Sequence, residues 1–217
     1  MNGLISYWKL DEVSGIRSDI VGGNDLTDNN TVTQAVGKIG NAAQFTDANL
    51  ESLSHASNTA LQTGDIDFLV AGSVYFDTLP ALGAALIGKT DALNLEYWLD
   101  YDGTSRLRFI VSSTGADAVV VSANAFGVPS TSTWYHFCGW HDSVANTINI
   151  QIDNGTIDTT AHSSGVFPGA GAFRIGAITT GAYHNGRLDD VKFSKRIWTA
   201  EERTEAYNNH VIGRSLF

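Results

Sequence analysis

The sequence predicts an all-β fold, either a sandwich or a barrel, in a single domain of residues 1–217. Short runs with apolar residues at alternate positions recur between turn signals along most of the chain, which is typical of strands with one buried face. There are 22 glycines and 3 prolines, a balance that favours many turns over a disordered linker. Hydrophobic residues make up 43% of the chain, enough for one sizeable core.

The predicted strands follow one another with tight turns between them. The run 68–76 is the clearest, because its alternate residues form two complete sets that face opposite sides. Asp102 with Gly103, and Asn154 with Gly155, are dipeptides that tight hairpins prefer, since their residues accept positive φ. The predicted strands are 4–10, 41–45, 50–53, 68–76, 85–89, 93–101, 106–112, 118–123, 134–141, 147–152, 155–159, 172–175 and 187–193.

The stretch 186–202 predicts the last strand and a helix directly after it. Apolar and polar residues alternate in its first half, as in a half-buried strand. Thr199 then stands three residues before Glu202, which is the spacing of a capping box. A short C-terminal helix is therefore predicted over residues 200–208.

Six blocks of the chain follow one another in a recognisable order: 4–15, 19–26, 37–45, 133–137, 150–155 and 186–202. In this order they resemble laminin-G-like domains of the concanavalin A-like lectin/glucanase superfamily. The resemblance implies a jelly-roll β-sandwich of two antiparallel sheets with one short C-terminal helix. One sheet of such a sandwich is commonly concave and can carry a ligand site.

Charge, apolar runs and cysteine content exclude several partner classes. The formal charge of −10 argues against a nucleic-acid partner, which needs a clustered basic surface. No apolar run approaches the length of a membrane-spanning helix, so no membrane insertion is expected. The first residues lack the features of a secretory signal. Cys138 is the single cysteine, which excludes an internal disulfide framework.

Asp189 and Asp190 lie side by side on the last predicted strand and repel each other unless something positive is near. Calcium sites are frequent in the superfamily that the chain resembles. One hypothesis has either aspartate meeting Asp19 and the backbone around Asn24 to hold Ca²⁺, which takes six to eight oxygen ligands. In the alternative, one aspartate accepts hydrogen bonds from the backbone of the 19–24 loop, while the other is solvated or pairs with a basic neighbour. Either arrangement is expected to brace a loop rather than to touch a ligand.

No catalytic residue is assigned. Retaining glycosidases need two carboxylates about 5–5.5 Å apart. Glu96 and Asp100 are expected on one strand face, but no second glutamate follows where the glucanases of this superfamily carry one. The histidines show no metalloprotease spacing, and no nucleophile elbow is present.

Aromatic side chains are the expected platform for a sugar, because an apolar sugar face packs on a ring while the hydroxyls find polar partners. The candidate ligand-binding residues are Tyr97 and Trp98 near predicted strand or sheet edges, with Tyr183 and His184 in the polar rim loop 179–186. The other four tryptophans are expected in core or sheet-closing positions: Trp8, Trp134, Trp140 and Trp198.

The sequence thus favours a non-catalytic binding or structural module at a virion or extracellular surface, such as a phage capsid-decoration, fibre or tail protein. Its expected partners are glycans or other surface proteins, and a homo-oligomer or docking on a larger assembly is open. The alternative is a carbohydrate-binding module of a larger secreted bacterial protein, and a glycoside hydrolase comes third. Leu216 and Phe217 are expected to pack against the sandwich or into a neighbour.

Overall fold

A computed structural model describes residues 3–91, 94–178 and 181–215. Three sets of expectations lie outside these residues: the strand start at Leu93, Thr179 and Thr180 of the rim loop, and the terminal Leu216 and Phe217. The elements are β1 (Leu4–Trp8), β2 (Thr27–Asn29), β3 (Thr33–Val36), β4 (Asn41–Phe45), β5 (Ser52–His55), β6 (Phe68–Phe76), β7 (Ala84–Lys89), β8 (Tyr97–Tyr101), β9 (Leu107–Val111), β10 (Val119–Ser122), β11 (Trp134–Asp142), β12 (Thr147–Ile152), β13 (Asp158–Ala161), β14 (Phe173–Ile175), β15 (Gly186–Ser194) and α1 (Ala200–Ile212).

The strands form two antiparallel sheets that pack face to face as a jelly-roll-like sandwich. One sheet has eight strands in the order β13-β12-β11-β6-β15-β4-β3, with β1 paired to β15. The other has seven strands in the order β10-β9-β8-β7-β14-β5-β2. The last strand, β15, therefore lies inside its sheet, between β6 and β4. The predicted all-β fold and the sandwich that the resemblance implies are both confirmed.

The core lies between the sheets and is built from alternate residues of each strand. In β6, Phe68, Val70 and Phe76 belong to the large cluster between the sheets. Leu69 and Ala71 point to the opposite side and belong to a second, smaller cluster. The two faces predicted for this strand are thus both buried, the inner one against the seven-stranded sheet and the outer one beneath the helix.

The helix α1 packs on the outer face of the eight-stranded sheet and begins at the predicted capping box. The Glu202 N–H donates to the Thr199 hydroxyl at 3.3 Å, and the Thr199 N–H donates to the Glu202 carboxylate at 2.9 Å. The helix runs beyond its predicted end at residue 208 because Gly213, with a φ of 67°, supplies the left-handed cap. In the part of the chain that is described, no helix is long and apolar enough to cross a membrane.

Three of the four tryptophans expected in core or sheet-closing positions take them. Trp8 is fully buried between the sheets. Beneath α1, Trp140 and Trp198 pack in the smaller cluster, and the Arg203 guanidinium lies 4.6 Å from the centroid of the Trp140 ring. The fourth, Trp134, lies elsewhere and becomes part of the site described below.

Candidate functional site

Asp19 organises the loop that follows β1. Its Oδ1 accepts hydrogen bonds from the N–H of Tyr7 at 2.9 Å and from those of Val21 and Gly22 at 3.0 Å. Its Oδ2 accepts from the N–H of Asn24 at 3.0 Å. Burial raises the pKa of Asp19, but these backbone donors outweigh it and hold the pKa below its ordinary value. Both oxygens face N–H donors, which is the opposite of what a cation requires.

Asp189 braces the turn between β3 and β4. Its Oδ2 accepts hydrogen bonds from the N–H groups of Lys38 and Ile39, both at 2.8 Å. Burial is the main cause that raises the pKa of Asp189 to about 8, so the side chain is mostly protonated and neutral at pH 7. The bracing bonds therefore go to this turn and not, as expected from the sequence, to the 19–24 loop.

Asp190 turns away from Asp189 and pairs with a basic neighbour. Its backbone has a φ of 57° where the register between β15 and β6 shifts. The carboxylate forms an ion pair with Lys192 and accepts a hydrogen bond from the Tyr7 hydroxyl. The Lys192 ammonium also lies 4.4 Å from the centroid of the Tyr7 ring. The Lys192 ammonium offsets the charge of Asp190, and the raised pKa of Asp189 favours its neutral form, so the repulsion between the two aspartates is reduced.

The four candidate metal ligands do not form one site. Asp19 and Asn24 bond to each other and to their own loop, whereas Asp189 and Asp190 enter separate surroundings. Among the residues of the three described ranges, no group of three or more His, Cys, Asp or Glu side chains is placed to hold a metal. This ligand set does not fit the expected Ca²⁺, because the four residues lie in separate surroundings and most of their oxygens already accept from N–H groups, the Tyr7 hydroxyl or Lys192. Asp189 Oδ1 is buried without a hydrogen-bond partner, but none of the other three candidates joins it there. Calcium binding by the protein itself stays a prediction.

Two of the four candidate sugar-binding residues are interior. Tyr97 is fully buried on the inner face of β8, and its ring stacks on Phe193 with centroids 5.7 Å apart. His184 is also fully buried, with its ring 5.3 Å from that of Phe76. Burial lowers the pKa of His184 to about 4, so it is neutral at pH 7. The expectation that these two side chains touch a ligand is wrong, because neither reaches the surface.

Trp98 lies on the outer face of the seven-stranded sheet and is half-buried. Its indole N–H donates to Asp100 Oδ2 at 3.2 Å, and the Arg108 guanidinium donates to both oxygens of Asp100 at 2.8 and 2.7 Å. Gly88 faces Trp98 on β7, where a Cβ would lie only 2.7 Å from the tryptophan Cβ. Trp98 is accessible and firmly placed, but it does not line the cleft described below.

The two carboxylates considered for catalysis are both held in ion pairs. Glu96 is fully buried, with Oε2 2.8 Å from Lys89 Nζ. Asp100 pairs instead with Arg108 on the sheet surface. Two carboxylates in separate ion pairs do not provide the acid and the nucleophile that retaining hydrolysis needs.

A cleft of ≈ 360 Å³ opens at one end of the sandwich, where β4 and β6 end and β15 begins. Tyr183 and Asp47, both half-buried, are among the residues that line it. Leu82 is 96% exposed at its rim. The described lining residues come from three loops distant in the chain: Asp47, Pro80, Ala81, Leu82, Gly83, Ala182 and Tyr183. Tyr183 is thus the sequence candidate that the fold places in a concave site.

The same end of the eight-stranded sheet carries a row of side chains that the sequence reasoning missed. Trp134, Tyr75, Arg187 and Gln44 are cross-strand neighbours on β11, β6, β15 and β4. All four are half-buried, and we call them the aromatic–arginine row. The core or sheet-closing position expected for Trp134 is wrong: its side chain is half-buried, two residues beyond His136, whose ring lies 5.7 Å from that of His210 in α1. Strand parity gives the face of each residue, but only the pairing of distant strands reveals the row.

The comparisons with known proteins agree with this architecture. A laminin-G family model of the concanavalin A-like lectin/glucanases superfamily matches residues 57–202, more than half of the chain. A comparison with curated proteins gave no match. The binding domain of paraclostridial mosquitocidal protein 1 is similar with a TM-score of 0.76 and 13% identity. That match covers 96% of this chain and 52% of the other, so this chain spans about half of its length.

Two further solved structures come from carbohydrate-active proteins. Domain 4 of AbnA, a GH43 extracellular arabinanase from Geobacillus stearothermophilus, was solved with arabinotriose; it matches with a TM-score of 0.65 and 17% identity over 93% of this chain and 97% of that one. Trypanosoma rangeli sialidase in complex with the inhibitor DANA matches with a TM-score of 0.73 and 13% identity, over 99% of this chain but 34% of the sialidase. At these identities the similarity shows the fold. Together with the family model, it shows that the chain belongs to the concanavalin A-like lectin/glucanase superfamily.

Proposed function

We propose that this domain binds glycans without hydrolysing them, and that the cleft around Tyr183 is its binding site. The observation that carries the proposal is the pairing of an accessible aromatic ring with a carboxylate in one concave site of a lectin-like fold. The apolar face of a sugar ring packs on Tyr183, while its hydroxyls donate hydrogen bonds to Asp47. The backbone N–H of Ala48 donates to Asp47 Oδ1 at 2.7 Å, which orients the carboxylate before a ligand arrives.

The lining of the cleft supports binding rather than hydrolysis. Asp47 is the only acidic residue among the described residues that line it. In most glycoside hydrolases, hydrolysis with retention or with inversion uses two carboxyl groups that flank the scissile bond. A single carboxylate beside an aromatic ring suits recognition of hydroxyl groups.

A glycan array with matched variants tests the proposal. Wild-type protein is expected to bind one family of glycans, and Tyr183→Ala to lose about tenfold in affinity for it, because the stacking platform is removed. Trp98→Ala is the control, since it removes a half-buried aromatic ring outside the cleft, and it should bind as the wild type does. Equal binding by Tyr183→Ala and wild type would place the site elsewhere, and no glycan signal at all would reject the function.

Calcium and cellular location are proposals of the same kind. Repeating the array with EDTA tests calcium. A loss of binding that added Ca²⁺ restores would support a bound ion, held by ligands other than the set Asp19, Asn24, Asp189 and Asp190. A role at a virion or extracellular surface rests on the sequence expectation alone. Neighbouring capsid and tail genes would support the virion, whereas a flanking catalytic domain would support a module of a secreted enzyme.

A further inference from the structure

The aromatic–arginine row is a built surface rather than a scatter of exposed side chains. The rings of Trp134 and Tyr75 have centroids 5.4 Å apart, and the Arg187 guanidinium lies 4.5 Å from the centroid of Tyr75. Three spacings between neighbouring strands separate Trp134 from Gln44, a length of roughly 14 Å. That length exceeds a single sugar ring.

Hydrogen bonds hold the polar half of the row in place. The Arg187 Nε donates to Gln44 Oε1 at 3.0 Å, and its Nη1 donates to the Val36 carbonyl at 3.3 Å. The Gln44 amide donates to Asp77 Oδ2 at 2.8 Å and to the Gly186 carbonyl at 3.2 Å. Since these side chains are already ordered, binding there loses little side-chain entropy.

The charge of the row favours an uncharged ligand. Asp77 lies 4.0 Å from Arg187 and offsets its positive charge. The guanidinium keeps N–H groups beyond those bonded to Gln44 and Val36, and these can donate to hydroxyl or ring oxygens. The half-exposed ring of Trp134 supplies an apolar platform beside them. Ring, donors and near-neutral charge together match a neutral, hydroxyl-rich chain.

The row and the cleft around Tyr183 lie at the same end of the sandwich and are connected through two loops. Asp77 follows β6 directly, and its N–H donates to the Asn185 carbonyl at 3.0 Å. The segment that begins at Asp77 also contributes Pro80 to Gly83 of the cleft lining, and Asn185 follows Tyr183 by two residues. The segment that follows β6 and the segment that precedes β15 therefore each connect a strand of the row to the lining of the cleft.

We propose that the aromatic–arginine row is a second carbohydrate-contact surface, which takes the distal units of an extended, uncharged oligosaccharide whose first units occupy the cleft. This inference rests on the proposed function. The cleft alone then suffices for a short saccharide, whereas a longer one gains affinity from Trp134 and Arg187. The sequence expectations place no ligand contact on any residue of the row.

Titration calorimetry with ladders of neutral arabinan, xylan and glucan oligosaccharides, from disaccharide to hexasaccharide, tests the inference. Trp134→Ala is expected to lose roughly threefold to tenfold in affinity for the hexasaccharide of the recognised series and nothing for its disaccharide. Tyr183→Ala should weaken both, and Trp98→Ala neither. Equal effects of Trp134→Ala on long and short ligands, or no effect on either, would overturn the second surface while leaving the cleft in place.

A measurement on the wild-type protein covers the case in which Trp134→Ala does not fold. The indole N–H signals of the five tryptophans are followed by NMR, with Trp134 assigned through Trp134→Phe. The hexasaccharide is expected to shift the Trp134 signal and the disaccharide to leave it in place. An unmoved Trp134 signal with saturating hexasaccharide would reject the row. If the wild type binds no member of these ladders, the row as a contact surface for neutral oligosaccharides is rejected, while the proposed function is decided separately by the glycan array.

Discussion

Two neighbouring carboxylates take opposite electrostatic states because their side chains enter different surroundings. Asp189 is buried against backbone N–H groups of the turn after β3, and its raised pKa keeps it mostly protonated near neutral pH. Asp190 stays beside the Lys192 ammonium and the Tyr7 hydroxyl. The pair thus ties the first strand, the turn after β3 and the last strand together.

The raised pKa of Asp189 makes the stability of the fold depend on pH. The ordinary pKa of 3.8 applies to the unfolded chain, and the folded value is about 8. Below about pH 4 both states are protonated and the stabilisation is fully present; as pH rises towards 8, the unfolded chain ionises first and stability falls. Asp189→Asn removes this titration. As pH rises from about 4 to 8, the free energy of unfolding of the wild type should therefore fall relative to that of the variant.

Urea unfolding at a series of pH values measures the effect. Asp65→Asn, at an exposed carboxylate, is the control for the loss of one negative charge and should run parallel to the wild type. Parallel profiles for Asp189→Asn and wild type would contradict the assignment of the proton to Asp189.

At the level of single residues, the sequence predicted the repulsion between Asp189 and Asp190 but only one of the two interactions that offset it. The pairing of one aspartate with a basic strand neighbour is confirmed in Asp190 and Lys192. The prediction that the other aspartate accepts hydrogen bonds from the 19–24 loop is wrong. The backbone donors to Asp189 are those of Lys38 and Ile39, about 150 positions earlier in the chain. Only the pairing of β15 with β4 brings them together.

Among the elements, α1 decides which part of the eight-stranded sheet stays open. Its apolar side lies over Leu69, Ala71 and Cys138, and leaves Tyr75 and Trp134 at the other end half-buried. The sequence predicts where the helix begins, since a capping box is local. It does not predict the end of the sheet that the helix covers, because that depends on the path of residues 195–199 across the surface.

The capping box gives a prediction at the level of the element. Thr199→Ala removes the acceptor for the Glu202 N–H and is expected to lower the free energy of unfolding by about 1 kcal/mol. Urea denaturation measures this. Thr131→Ala, at an exposed loop position, is the control and should change stability little. A loss no larger than that of the control would show that α1 is held by packing on the sheet alone.

For the whole molecule, the formal charge of −10 bears on which glycans can bind. The cleft adds Asp47 to this negative field, and no cationic side chain is among its described lining residues. Neutral glycans are expected to bind more tightly than their sialylated counterparts. Because salt screens repulsion between charges, affinity for sialylated glycans should rise between low and high salt, while affinity for neutral ones stays constant.

Paired neutral and sialylated glycans on the array, read at two salt concentrations, provide the measurement. Tighter binding of the sialylated member at low salt would contradict the charge argument, but not the proposal that the cleft is the binding site. Tyr183→Phe, which keeps the ring and removes its hydroxyl, is the matched control for a charge-independent change in the site.

The whole fold was predictable because many short signals agree along the chain, whereas the cleft was not. Alternation, turns and the order of six blocks all point to one sandwich. The cleft joins Asp47, the Pro80 to Gly83 segment and Tyr183 from three separate loops, and loop geometry has no such periodicity. Tyr183 was found through its polar loop, and Asp47 was missed because nothing in the sequence around it distinguishes it from the other acidic residues.

The central position of β15 has a consequence for how the chain matures during synthesis. This strand enters between β6 and β4 and also pairs with β1. A nascent chain that stops before residue 186 therefore leaves one edge of β6 and one edge of β4 unpaired, and β1 without a strand partner. Such open edges invite pairing with other chains. The domain therefore cannot close until residues 186–194 have been synthesised, and translation that stalls before them would yield an aggregation-prone fragment rather than a smaller lectin-like module.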